Sequence, residues 1–153
     1  MIGYVTGTRI VLVAAVCLAT ACSSTAPSPA PTFLGVCALV PNMDELVGKS
    51  AVADPGALSL NDVDQCIWTY ALNPSRSVNL SIAPVAAHAA AISELGDGEQ
   101  LSGVGDTARW WVGNHLLSVV AGDQAVQVSV NLDEAETKDL AVRIAQAAIS
   151  NMN

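Results

Sequence analysis

The stretch TARWWVGNHLLSVVAGDQAVQVSVNL, residues 107–132, decides the fold. Apolar residues recur at every second position along much of it, and two glycine-containing pairs, Gly113-Asn114 and Gly122-Asp123, interrupt the alternation. Period two marks a strand with one buried face, and a two-residue glycine turn is the tightest way to reverse it. The stretch reads as three antiparallel strands. Two-residue loops also set a register, because residues opposite one another share a face. Val112 then faces His115, Trp110 faces Leu117, Ala108 faces Val119, Leu117 faces Val128 and Val119 faces Val126. One face gathers Trp110, His115, Leu117, Val119, Val126, Val128 and Val130, and is expected to be core.

The opposite face gathers Arg109, Trp111, Leu116, Ser118, Val120, Gln127 and Ser129, a mixed set with two readings. Arg109, Trp111 and Leu116 form a patch that recognises a partner, since Trp and Arg are enriched at interface hot spots. Alternatively a helix covers this side and Trp111 is core, as in sheets with apolar residues on both faces.

Upstream, QCIWTYAL (65–72) and SVNLSIA (77–83) alternate in the same way and flank NPSR (73–76), a hairpin with its turn. PVAAHAAAISELG (84–96) reads as a helix opened by Pro84 and closed at Gly96, with Val85, His88 or Ala89, Ile92 and Leu95 on one stripe. GDGEQLSGVGD (96–106) reads as a connecting loop, and residues 49–64 as a loop or short strand. CALVPNMDELVGKS (37–50) opens the domain as a helix, with Pro41 in its first turn and Gly48 as its stop. DEAETKDLAVRIAQAAISNMN (133–153) closes it, with Asp133 as N-cap, Glu136 three residues later, and a stripe of Leu140, Ile144 and Ala148. The expectation is an α+β domain in the order αββαβββα: an antiparallel sheet of about five strands with helices packed on it.

Length and composition agree with this. The chain has 153 residues, room for one domain, and 52% of them are hydrophobic, enough for a packed core. Six basic residues stand singly in a chain of net charge −8, so no Lys/Arg cluster exists to gather a phosphate backbone or an anionic lipid surface. Nucleic acid is excluded as a partner.

The N-terminus, MIGYVTGTRIVLVAAVCLATAC, carries Arg9 as its single charge, then an apolar run over residues 10–21. Twelve helical residues span about 18 Å, short of the ~30 Å hydrocarbon core of a bilayer, but right for a signal-peptide core. Ala19, Thr20 and Ala21 place small residues before Cys22, which is similar to the bacterial lipobox, although Leu18 stands one position further out than usual. Residues 1–21 are expected to be removed and the Cys22 thiol to carry a lipid. An ordinary secretory cut near Ala21 and an uncleaved anchor are the alternatives. Losing Arg9 takes the net charge from −8 to −9. SSTAPSPAPT (23–32) then reads as a solvated tether, within a 22–34 segment ahead of a domain over 35–153. Ten such residues reach about 30 Å. The expected location is the outer side of the plasma membrane.

With Cys17 discarded in the signal peptide and Cys22 lipidated, Cys37 and Cys66 remain, and export places them where a disulfide forms. A metal site lacks ligands, because His88 and His115 are isolated and no Cys-x-x-Cys spacing occurs.

Lipobox, tether, CALVPNMDELVG, CIW about 30 residues on, GVGDTA before a strand and an Ala-rich C-terminal helix together form a skeleton. It resembles a group of small mycobacterial and related actinobacterial lipoproteins whose domain has no known function. The resemblance implies a cell-envelope lipoprotein with a bridge between Cys37 and Cys66. The fold expected for the domain is an α/β sandwich of the kind used by other mycobacterial lipoproteins and by photosystem accessory proteins. The extracytoplasmic sensor domains of mycobacterial kinases are distantly similar. No catalytic residue is carried over.

The remaining motifs carry little chemistry. GDGEQLSGVGD has no Gly-Lys-Ser/Thr, and its carboxylates repel phosphate. NDVDQ (61–65) lacks the glycine and the glutamate of a calcium loop. His88 has no nucleophile placed by a motif, and His115 sits at a turn. Asp44-Glu45 and Asp133-Glu134 lie at helix starts, where they offset the macrodipole. No cofactor is expected. The leading expectation is a membrane-tethered, non-enzymatic binding or accessory module that meets an envelope protein. A carrier of a small apolar ligand or lipid is second, and a hydrolase third.

Overall fold

The computed structural model describes residues 33–48, 51–54, 62–70, 73–132 and 137–152. The elements run α1 (Phe33–Ala38), α2 (Met43–Val47), β1 (Ala51–Asp54), β2 (Asp64–Tyr70), β3 (Asn73–Pro84), α3 (Val85–Ile92), β4 (Glu99–Leu101), β5 (Thr107–Trp111), β6 (Leu116–Ala121), β7 (Gln124–Asn131) and α4 (Thr137–Met152). A 3₁₀ turn over Ser93–Leu95 extends α3. The seven strands form one antiparallel sheet in the order β1-β2-β3-β7-β6-β5-β4. Two meanders, β1-β2-β3 and β4-β5-β6-β7, thus join where β3 pairs β7.

The α+β class is as expected, and the sheet is larger by its two edges. β1 has four residues and β4 three, too short for an alternation of their own to show. β4 lies inside the expected glycine loop and exists by pairing, Gln100 opposite Arg109 and Leu101 opposite Ala108. Its exposed Glu99 and Gln100 suit an edge that must not recruit further strands. At the other end of the chain, α1 begins at Phe33, before the expected domain start at 35. The opening helix is two helices. Pro41 lies in the turn between them, because its ring cannot follow the preceding helical turn. Gly48 does close α2, at φ 69° with its N–H on the Asp44 carbonyl at 2.8 Å. NPSR is not a turn: Asn73 already pairs with Tyr70, and the register shifts beside it, between Thr69 and Tyr70.

Of the predicted pairs, Trp110–Leu117, Ala108–Val119, Leu117–Val128 and Val119–Val126 are observed, whereas Val112 and His115 lie in the connection and form no strand pair. Gly122 takes φ 64° at the first central position of its turn, where a tight II′ turn wants glycine. The β5–β6 connection differs. It runs over four residues, with Val112–Asn114 as a 3₁₀ turn and His115 left-handed at φ 48°. A symmetric lengthening from two residues to four preserves the opposite pairs, so the register survives the wrong loop. His115 leaves the core for the surface, stacked on Trp110 at 6.4 Å, and Val112 is 74% exposed.

The core lies on one side of the sheet. Cys66, Trp68 and Tyr70 of β2, Val78 and Leu80 of β3, Val126, Val128 and Val130 of β7, Leu117 and Val119 of β6, and Trp110 of β5 all point there and are buried. α4 covers β7 and β6 with Leu140 and Ile144, and Ala141, Ala145 and Ala148, all fully buried, let its backbone approach closely. α1 covers β2, where Cys37 and Cys66 form a disulfide. Closing a ring of about 30 residues contributes about 3.6 kcal/mol in the chain-entropy model. α3 crosses the other face on its way from β3 to the far edge.

Candidate functional site

Where β3 ends and β7 begins, a cleft of about 530 Å³ opens between α1 and α4. Ile82 and Pro84 form its floor, Val36 and Leu39 one wall, and Met152 the other. Asn151 of the last α4 turn ties the walls together, its Nδ2 donating to the Leu39 carbonyl at 3.0 Å. The polar side is supplied by Gln124 and by Asp62 and Asp64, which precede and open β2. Asp62 holds φ 64°, a left-handed conformation that Asp and Asn adopt more readily than other side chains. The NDVDQ stretch therefore contributes to this mouth. The size falls within the range of small-molecule sites. Nothing in the local pattern of residues 33–39 or 61–64 announced the cleft, since it is lined by segments remote from one another in the chain.

A second recess of about 380 Å³ shares Gln124 and Met152 with the cleft. It is lined by Gly105, Asp106 and Asp123. Here the GVGD motif has a structural role. Val104 is buried, the Asp106 N–H donates to the Val120 carbonyl at 2.7 Å, and the Asp106 carboxylate accepts from the Gly122 N–H at 2.8 Å. The motif clasps the β6–β7 turn.

The expected patch residues do not form one exposed surface. Trp111 is 6% exposed, with its Nε1–H on the Gly96 carbonyl at 3.1 Å, whereas Leu116 is half-buried and Arg109 exposed. Gly98 lies so close that a Cβ there would stand 2.8 Å from the indole. The covered reading applies to Trp111, with the cover made by the turn after α3 rather than by α3 alone. Cys22 and Asp133-Glu134 lie outside the described residues. Asp44 and Glu45 occupy the first turn of α2.

His88 is the buried residue of α3, 4% exposed, and its Nε2 meets the Ser118 hydroxyl at 2.6 Å. This contact needs α3 folded across β6, so local periodicity could not show it. Ser118 is itself buried, so the pair lies beneath α3, out of reach of a substrate, and serves as a polar pin between helix and sheet. Burial lowers the His88 pKa from its usual 6.5. The unfolded chain then binds more protons than the native one, so the contribution of neutral His88 is full above about pH 6.5 and declines as pH falls through the lower native value. Urea unfolding at about pH 7.5 and pH 5 should show a larger acid-induced loss of stability in the wild type than in His88→Gln. Equal losses would contradict this account.

Among the described residues no helix is long and apolar enough to cross a membrane, and no group of three His, Cys, Asp or Glu side chains is placed to hold a metal. No protein-family model, curated protein or solved structure matches the chain.

Proposed function

We propose that the protein is a cell-envelope lipoprotein whose domain is a membrane-tethered, non-enzymatic binding module on the outer side of the plasma membrane. The cleft between α1 and α4 is the observation that carries the binding part. Its walls are apolar, its mouth is polar, and one wall belongs to α1, the first element after the tether. A lipid on Cys22 would hold the cleft within about 30 Å of the bilayer surface, where ligands leaving or entering the membrane are concentrated. Second is a carrier of a small apolar ligand or lipid, favoured by the apolar floor of Ile82 and Pro84.

The tether is tested by cell fractionation without detergent. Wild-type protein is expected in the membrane fraction with an acyl adduct in its intact mass, and Cys22→Ala in the soluble fraction without one. One acyl chain gives only marginal membrane binding, so firm retention of the wild type requires more than one membrane signal, and the intact mass counts the chains. A Cys22→Ala protein that remains membrane-bound overturns the reading.

A further inference from the structure

The cleft and the recess beside it carry a charge pattern that restricts what they take. Asp62 and Asp64 stand at the mouth of the first and Asp106 and Asp123 at the second, and among the described residues neither lining contains a Lys, Arg or His. The last turn of α4, which forms a wall of both, has no basic residue, so the negative end of a sixteen-residue helix dipole faces the same region with only the Asn151 amide, donating to the Ala147 carbonyl at 3.1 Å, to offset it within that turn. The chain as a whole carries −8. Apolar walls inside a negative rim disfavour anionic amphiphiles such as fatty acids, whose carboxylate would meet like charge with no cationic side chain among the described lining residues to offset it. The carboxylates are also spread around two openings rather than converging on one point, an arrangement suited to a diffuse organic cation and not to a metal ion.

We propose that the cleft binds an organic cation with an apolar body, an amine or quaternary ammonium whose hydrocarbon part lies on Ile82, Pro84 and Met152 and whose charge sits by Asp62. This rests on the reading of the domain as a binding module and names its ligand class. Charge at the rim sets selectivity and steers entry, and the apolar floor supplies the area buried.

The test is isothermal titration of the full chain in phosphatidylcholine nanodiscs, with empty discs subtracted. Three probes share one ring: benzyltrimethylammonium, benzyl alcohol and phenylacetate. The cation is expected to bind saturably and about tenfold more tightly than phenylacetate. Asp62→Asn, which retains the left-handed backbone, should weaken the cation about threefold and leave benzyl alcohol unchanged. Equal affinity for cation and alcohol overturns the charge selectivity while leaving a binding cleft in place. Absence of saturable cation binding overturns the proposal outright, and the tether still stands or falls by fractionation of Cys22→Ala.

Discussion

Replacing Gly105 by alanine is expected to lower the unfolding free energy by about 4 kcal/mol. A Cβ at this position would stand 2.5 Å from both the Val119 Cγ1 and the Val120 carbonyl oxygen, with the backbone at φ 57°. Neither neighbour can give way: Val119 is fully buried, and the Val120 oxygen accepts the Asp106 N–H that fastens the loop to β6. The left-handed conformation contributes about 1–2 kcal/mol of this cost and the forced separation of loop and strand about 1–3 kcal/mol. Gly103→Ala isolates the first part, because Gly103 has φ 80° but open space around it. Chemical denaturation of both variants decides the matter. If Gly105→Ala is no less stable than Gly103→Ala, the close approach to β6 is not what holds the loop.

Trp111→Ala should cost about 4 kcal/mol, the usual loss for a large aromatic removed from a packed site, and lower the melting temperature by about 15 °C. The indole is 6% exposed, its N–H is bonded to Gly96, and the Gly96–Gly98 backbone closes over it. Arg109→Ala, on the same face but exposed, should change stability by no more than about 0.5 kcal/mol. Trp111→Phe retains most of the apolar contact and loses the hydrogen bond, so it should fall between them. A Trp111→Ala protein as stable as Arg109→Ala would mean that the indole packs against nothing and that the face is an open patch after all.

Gly105 and Trp111 differ in how much of their role is local. Gly105 lies in a motif that stands out in the sequence, yet its function there reads only as a loop. The residues it presses against, Val119 and Val120 of β6, lie fourteen and fifteen positions away along the chain and reach it only through the β5–β6 hairpin. Trp111 is assigned to the correct face by alternation alone, but whether that face is covered depends on the path taken by residues 93–98. His88 offers the same lesson from the other side, a helix residue among alanines that becomes a buried pin because β6 presents Ser118 beneath it.

Alternation along residues 65–70, 77–83 and 107–131 determines which residues pair and which share the buried face, because side chains on a strand reverse direction at every step and a burial pattern therefore fixes phase. The same local rules place α3, α4 and the stop at Gly48. The edges β1 and β4, the burial of Trp111, the role of GVGD and the cleft itself are decided by tertiary structure. Each depends on a distance between segments remote in the chain, set by how α1, α4 and the α3 crossover pack on the sheet. Periodicity carries the direction of a side chain; it carries no information about what stands opposite.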